Sequence, residues 1–137
     1  MRTPDEILRS ATHVVVKDYP SRDVPDALAS AGIMVTIYEG PSEAEVVVSE
    51  LSDGAITRQQ VGRYPDRADV LYVYRPIAEI DGIIAEAQRL GAQTVWRQPV
   101  IGSANTDSAE WRRQIEGAGL AYVDDPAIDE VAARLHR

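Results

Sequence analysis

The stretch VVVKDYPSRDVPDALASAG, Val14 to Gly32, decides the fold. Its first residues complete a β-rich run, Thr12 to Val16, that is apolar without alternation, the pattern of a strand covered on both faces. Beyond the turn, Asp23 is placed to cap a helix and Pro25 is tolerated in its first turn. Val24, Ala27, Leu28 and Ala31 then recur on one helical face before Gly32 closes it. Ile33 to Tyr38 is again β-rich. Strand, helix and strand in this order close right-handed with the two strands parallel. The turn between Val16 and Asp23 contains no glycine, so an anion could be held there only by side chains or by a rearranged backbone.

The same alternation continues along the chain. Val70 to Tyr74 is a strand ending in Arg75-Pro76, and Ile77, Ile80, Ile83, Ile84, Ala87 and Leu90 mark a helix stopped by Gly91. Thr94 to Gln98 is a strand, and PVIGSANT a turn-rich loop. Asp107 and Glu110 suit a helix start, with Trp111, Ile115 and Ala118 on its apolar face. Leu120 to Val123 is the last strand. Asp125-Pro126 opens a final helix with Ile128, Val131, Ala132 and Leu135 inward, and Arg134, His136 and Arg137 against its C-terminal dipole. At the other end, Thr3-Pro4-Asp5-Glu6 reads as a capping box around a proline-started helix. The exception is Glu45 to Val61, two β-prone halves around Ser52-Asp53-Gly54, which predicts a β-hairpin insertion near 45–61, at an edge. Residues 1–137 therefore predict one α/β domain, a three-layer open and mostly parallel sheet with helices on both faces.

Composition narrows the function. Net charge is −8, from 22 acidic against 14 basic residues, so the average field repels nucleic acid and anionic membrane. No apolar run has the length of a membrane span, and MRTPDEILRS lacks the apolar core of a secretory signal, which predicts a soluble cytoplasmic protein. There is no cysteine, hence no disulfide, thiolate or cysteine metal site. Of the 14 basic residues 13 are arginine, either compositional bias or guanidinium groups that grip phosphate or carboxylate.

In such a sheet ligands lie beyond the carboxyl ends of the strands, where strand order reverses. That singles out the loops Lys17 to Asp23, Tyr38 to Pro41, Arg75 to Ile77, Gln98 to Ser103 and Asp124 to Pro126. Lys17 and Arg22 are candidates for charge-assisted bonds to an anion at the start of the second helix, although Asp23 and Asp26 are equally suited to occupy that helix's free N–H groups. Arg75, followed by Pro76, either meets a phosphate or an adenine edge, or pairs with Glu39 or Asp124. Gln98 either bonds a ligand amide or braces the next loop; Trp96 reads as core. His13 lies inside a strand and His136 at the chain end, so neither is placed for a catalytic triad, and no GxGxxG or GxxxxGK[ST] fingerprint is present. The expectation is a noncatalytic protein.

ADVLYVYRPIAEIDGIIAEAQRLGAQTVWRQ, Ala68 to Gln98, with its strand ending in aromatic-Arg-Pro, Leu-Gly-Ala and Val-Trp-x-Gln, resembles the small bacterial coenzyme A-binding proteins. Tyr64-Pro65 and the strand after Gly119 match more weakly, and the first half matches in pattern more than in residues. The resemblance implies a Rossmann-like fold related to the CoA-binding domain of succinyl-CoA synthetase. It also implies coenzyme A or a related adenine nucleotide as ligand, at Val16, Lys17, Arg22, Tyr38, Arg75, Pro76 and Gln98. The family places glycine and a small residue after its first strand, where this chain has Val16-Lys17-Asp18; an Asn-Pro-like element is Tyr38-Glu39-Gly40-Pro41; a usual Arg-Cys is Asp124-Asp125. These departures leave a second reading open: a degenerate member without nucleotide, acting through a protein partner or as a homo-oligomer, with the hairpin as interaction edge.

Overall fold

The computed structural model describes residues 2–41, 45–99 and 107–135. Its strands are β1 (His13–Lys17), β2 (Met34–Tyr38), β3 (Val47–Ser52), β4 (Ala55–Gln60), β5 (Val70–Val73), β6 (Thr94–Arg97) and β7 (Ala121–Val123). They form one sheet in the order β4-β3-β2-β1-β5-β6-β7. β2, β1, β5, β6 and β7 are mutually parallel, while β3 and β4 add to the β2 edge as an antiparallel hairpin. The fold is therefore Rossmann-like. The hairpin between 45 and 61 is present and turns at Asp53 and Gly54, both with positive φ.

The continuous apolar character of β1, β5 and β6 follows from helices on both faces. On one face, α1 (Pro4–Ser10), α2 (Asp23–Ser30) and α5 (Ile128–Leu135) pack on Val14, Val16, Val35, Ile37, Tyr72 and Trp96. On the other, α3 (Ile80–Leu90) and α4 (Ser108–Gly117) pack on Val15, Leu71, Val73 and Val95. Fully buried side chains such as Leu28 and Ile83 each contribute roughly 1.5–3 kcal/mol by leaving water.

Local signals explain most helix ends. Thr3 Oγ1 accepts from the Glu6 amide at 3.2 Å while the Thr3 amide donates to Glu6 Oε1 at 2.8 Å, the expected capping box. Gly91, at φ 68°, ends α3 in the left-handed conformation that a side chain disfavours. Two starts differ from expectation. Asp23 does not cap α2 but is its first residue, its amide donating to Ser21 Oγ at 3.1 Å. Helix α5 begins at Ile128 rather than at Asp125-Pro126, because the Pro126 carbonyl accepts from Trp96 Nε1 at 3.1 Å. Part of the PVIGSANT loop, and His136 and Arg137, lie outside the described residues.

After β2 and the hairpin, the chain returns to β5 on the opposite side of β1. Strand order thus reverses between β1 and β5, and their carboxyl ends, at Lys17 and Val73, define the crevice.

Candidate functional site

At this crevice the chain turns sharply. The glycine expected from the resemblance is replaced in conformation by Asp18, which takes φ 66°. Asp tolerates the left-handed region because its short carboxylate bonds locally. Asp18 Oδ1 accepts from the Tyr19 amide at 2.7 Å, and Oδ2 accepts from Arg75 Nη1 at 3.0 Å. Arg75 stands two residues beyond β5, and its Nε donates to Glu79 Oε1 and Oε2 at 3.0 and 3.1 Å, across the 3₁₀ turn Ile77–Glu79. The bonds to Glu79 and then Asp18 hold the guanidinium above its ordinary pKa, and the Arg75 bond holds the Glu79 carboxyl below its own. Two donors, the Tyr19 N–H and Arg75 Nη1, thus converge on one oxyanion, which is the chain's own carboxylate.

The expected ion pair of Arg75 with Glu39 or Asp124 is not the one formed. Glu39 lies 3.9 Å from Lys17 Nζ, and Asp124 Oδ2 accepts from the Tyr122 hydroxyl at 3.0 Å. Spatial neighbours along the chain, Asp18 across the switch point and Glu79 one turn ahead, are nearer than either.

The remaining predicted residues divide among separate places. Val16 lies within β1 with its side chain wholly buried, so only its main chain borders the turn. Lys17 and Tyr38 line a cavity of about 390 Å³ on the α3 side with Glu39, Tyr64, Glu86 and Arg89. There the Tyr38 hydroxyl donates to Glu86, and burial first, then that carboxylate, raises its pKa. Arg22 lies on the opposite face at the start of α2, its Nη1 donating to the Tyr19 hydroxyl at 2.8 Å. Pro76, exposed and extended, leads into the 3₁₀ turn. Gln98 Oε1 accepts from the buried Tyr72 hydroxyl at 2.8 Å, in a cavity of about 220 Å³ also lined by Trp96, Asp124 and Asp125. Arg75 and Gln98 do not share a cavity there. Trp96 is core, as expected. Asp18 is the site residue that sequence reasoning missed; its signal was its place directly after a strand at a reversal of strand order.

An open, mostly parallel α/β sheet whose strand order reverses between β1 and β5 defines a Rossmann-like domain. A family model described as CoA binding domain matches residues 14–129, and the chain belongs to that family. Among solved structures, the crystal structure of Prb, a PH1109 protein redesigned for binding, superposes with a TM-score of 0.67 and 23% identity, over 96% of this chain and 89% of that one. The structure of cell-free ID.343 from Thermus thermophilus gives a TM-score of 0.59 and 22% identity, over 98% and 99%. Both likenesses bear on the fold. No curated protein matches. Among the described residues no helix is long and apolar enough to cross a membrane.

Proposed function

We propose that the chain is a noncatalytic coenzyme A-binding protein, with a phosphate of the cofactor or of a related adenine nucleotide received at the β1/β5 switch point. The observation that carries the reading is the cradle of Arg75 Nη1 and the Tyr19 N–H, which already coordinates a carboxylate. A phosphate has the charge and acceptor geometry to take the place of Asp18, whose side chain then turns to solvent. Lys17, the last residue of β1, and Gln98, just beyond β6, belong to the same carboxyl rim but line separate cavities. The lack of catalysis is supported by His13, whose Nε2 is engaged by Thr36 Oγ1 at 2.6 Å at the amino end of β1, away from the crevice.

The same carboxylate favours a second reading, a member whose nucleotide site is closed and which works through protein contacts, for example at the open edge of β4. Titration calorimetry separates them. On the first reading coenzyme A binds saturably, and Arg75→Ala weakens it at least about tenfold, since a charge-assisted bond contributes roughly 1.5–3 kcal/mol. Absence of heat and of a melting shift at millimolar coenzyme A rejects it.

A further inference from the structure

β4 ends the sheet, and among the described residues no strand pairs with its outer side. Sheet edges are ordinarily protected by shortness, lysine, proline, a bulge or a covering element. The opposite edge, β7, has three residues, two of them buried. β4 has six, five of them exposed, with neither proline nor lysine, and its register against β3 runs unbroken from Val47↔Gln60 to Ser52↔Ala55. Its single charge, Arg58, is matched on the α2 face by Asp26 at 2.7 Å. The average field of a chain at −8 repels a second copy, yet β4 itself contributes no acidic group.

The hairpin turn fixes which main-chain groups face outward. A two-residue turn makes Ser52 and Ala55 a hydrogen-bonded pair, and such pairs alternate along an antiparallel ladder. Thr57 and Gln59 therefore aim their N–H and C=O at β3, in step with the Val61 amide, which donates to the Val46 carbonyl at 3.0 Å. Ile56, Arg58 and Gln60 aim theirs outward.

A second β4 related by a two-fold axis normal to the sheet continues both faces only if residues of equal parity meet, so the axis passes through a residue. Through Arg58, two guanidinium groups stand directly opposite each other, which is destabilising. Through Ile56 or Gln59, half of the strand is left unpaired. Through Thr57, Ile56 of each copy exchanges both main-chain bonds with Arg58 of the other, and Ala55 lies opposite Gln59. The Thr57 side chains then meet in a close non-hydrogen-bonded pair, while each Arg58 keeps its own Asp26 and lays its stem beside the other copy's Ile56.

We propose that β4 pairs antiparallel with β4 of a second copy of this chain, in the register centred on Thr57. This gives the open edge a defined partner, and it holds whether or not the β1/β5 crevice takes coenzyme A.

Sedimentation velocity and cysteine crosslinking of the full chain test this. The wild type should form a concentration-dependent dimer. Arg58→Pro removes an outward N–H without touching the bonds to β3, and should weaken the dimer at least about tenfold. Arg58→Ala loses the same bond to Asp26 but keeps the N–H, and should stay dimeric. The chain has no cysteine of its own, so single substitutions read the register directly. On mild oxidation Thr57→Cys should link two copies, because a pair on the axis has the separation a disulfide needs, whereas Arg58→Cys and Gln59→Cys should link far less. Crosslinking stands as a readout even if Arg58→Pro does not fold. A wild type that is monomeric at millimolar concentration, a dimer indifferent to Arg58→Pro, or linking strongest at Arg58→Cys or Gln59→Cys overturns the proposal. Calorimetry with coenzyme A tests the crevice separately, so either reading can fail alone.

Discussion

Two arginines end up at the same rim in opposite circumstances. Arg75 follows β5, is about one-third exposed, and is held by two carboxylates, Asp18 and Glu79. Arg97 ends the adjacent strand β6, is almost wholly buried, and has no carboxylate partner among the described residues. Exposure alone would suggest the reverse, because water stabilises the first charge and not the second. The contrast separates two ways of handling a cation near a ligand rim: one filled by the chain itself, the other resting on an aromatic ring and hydroxyls.

The largest expected effect falls on the buried side. Trp111→Ala removes the ring beneath Arg97 and a wholly buried side chain of the α4 layer. Such truncations cost about 3–5 kcal/mol, so urea unfolding should show a loss of that size. A loss under about 1 kcal/mol would mean that the layer collapses freely around the guanidinium, and the contrast with Arg75 would dissolve.

Next comes the filled cradle. Asp18→Gly removes the competing carboxylate and relieves a positive φ in one substitution. Freed of one partner, Arg75 is expected to bind coenzyme A about tenfold more tightly, roughly 1.4 kcal/mol, measured by calorimetry beside the wild type. Unchanged or weaker affinity would show that Asp18 supports the turn rather than plugs it.

The sheet was legible because its strands are short apolar runs separated by amphipathic helices, a pattern imposed by burial on both faces. The Thr3-Glu6 box and the Ser52-Asp53-Gly54 turn were legible because their chemistry is local. The partners of Arg75 were not: Asp18 is 57 positions away, and only the return of β5 beside β1 brings them together. Arg97 lay between these cases. A period of two along a strand buried on both faces puts residue 97 inside with Val95, but nothing in Thr94-Val95-Trp96-Arg97 announces Trp111 beneath it.

The smallest effect distinguishes the two arginines by acid. Hydrogen bonding to Arg75 holds the Glu79 carboxyl below its ordinary 4.5. A carboxyl depressed in the folded state contributes stability that is fully present above the unfolded value and is lost as pH falls through the folded one. Glu79 is 34% exposed, so the pair is screened and its contribution is about 0.2–1 kcal/mol. Glu79→Gln should accordingly be slightly less stable than the wild type at neutral pH and converge on it as pH drops below about 4. Among the described residues Arg97 has no carboxylate in direct contact, so Arg97→Met should keep the wild-type acid slope in urea unfolding between neutral pH and pH 3. Equal slopes for wild type and Glu79→Gln, or a flattened slope for Arg97→Met, would place the titrating carboxylate beside the wrong arginine.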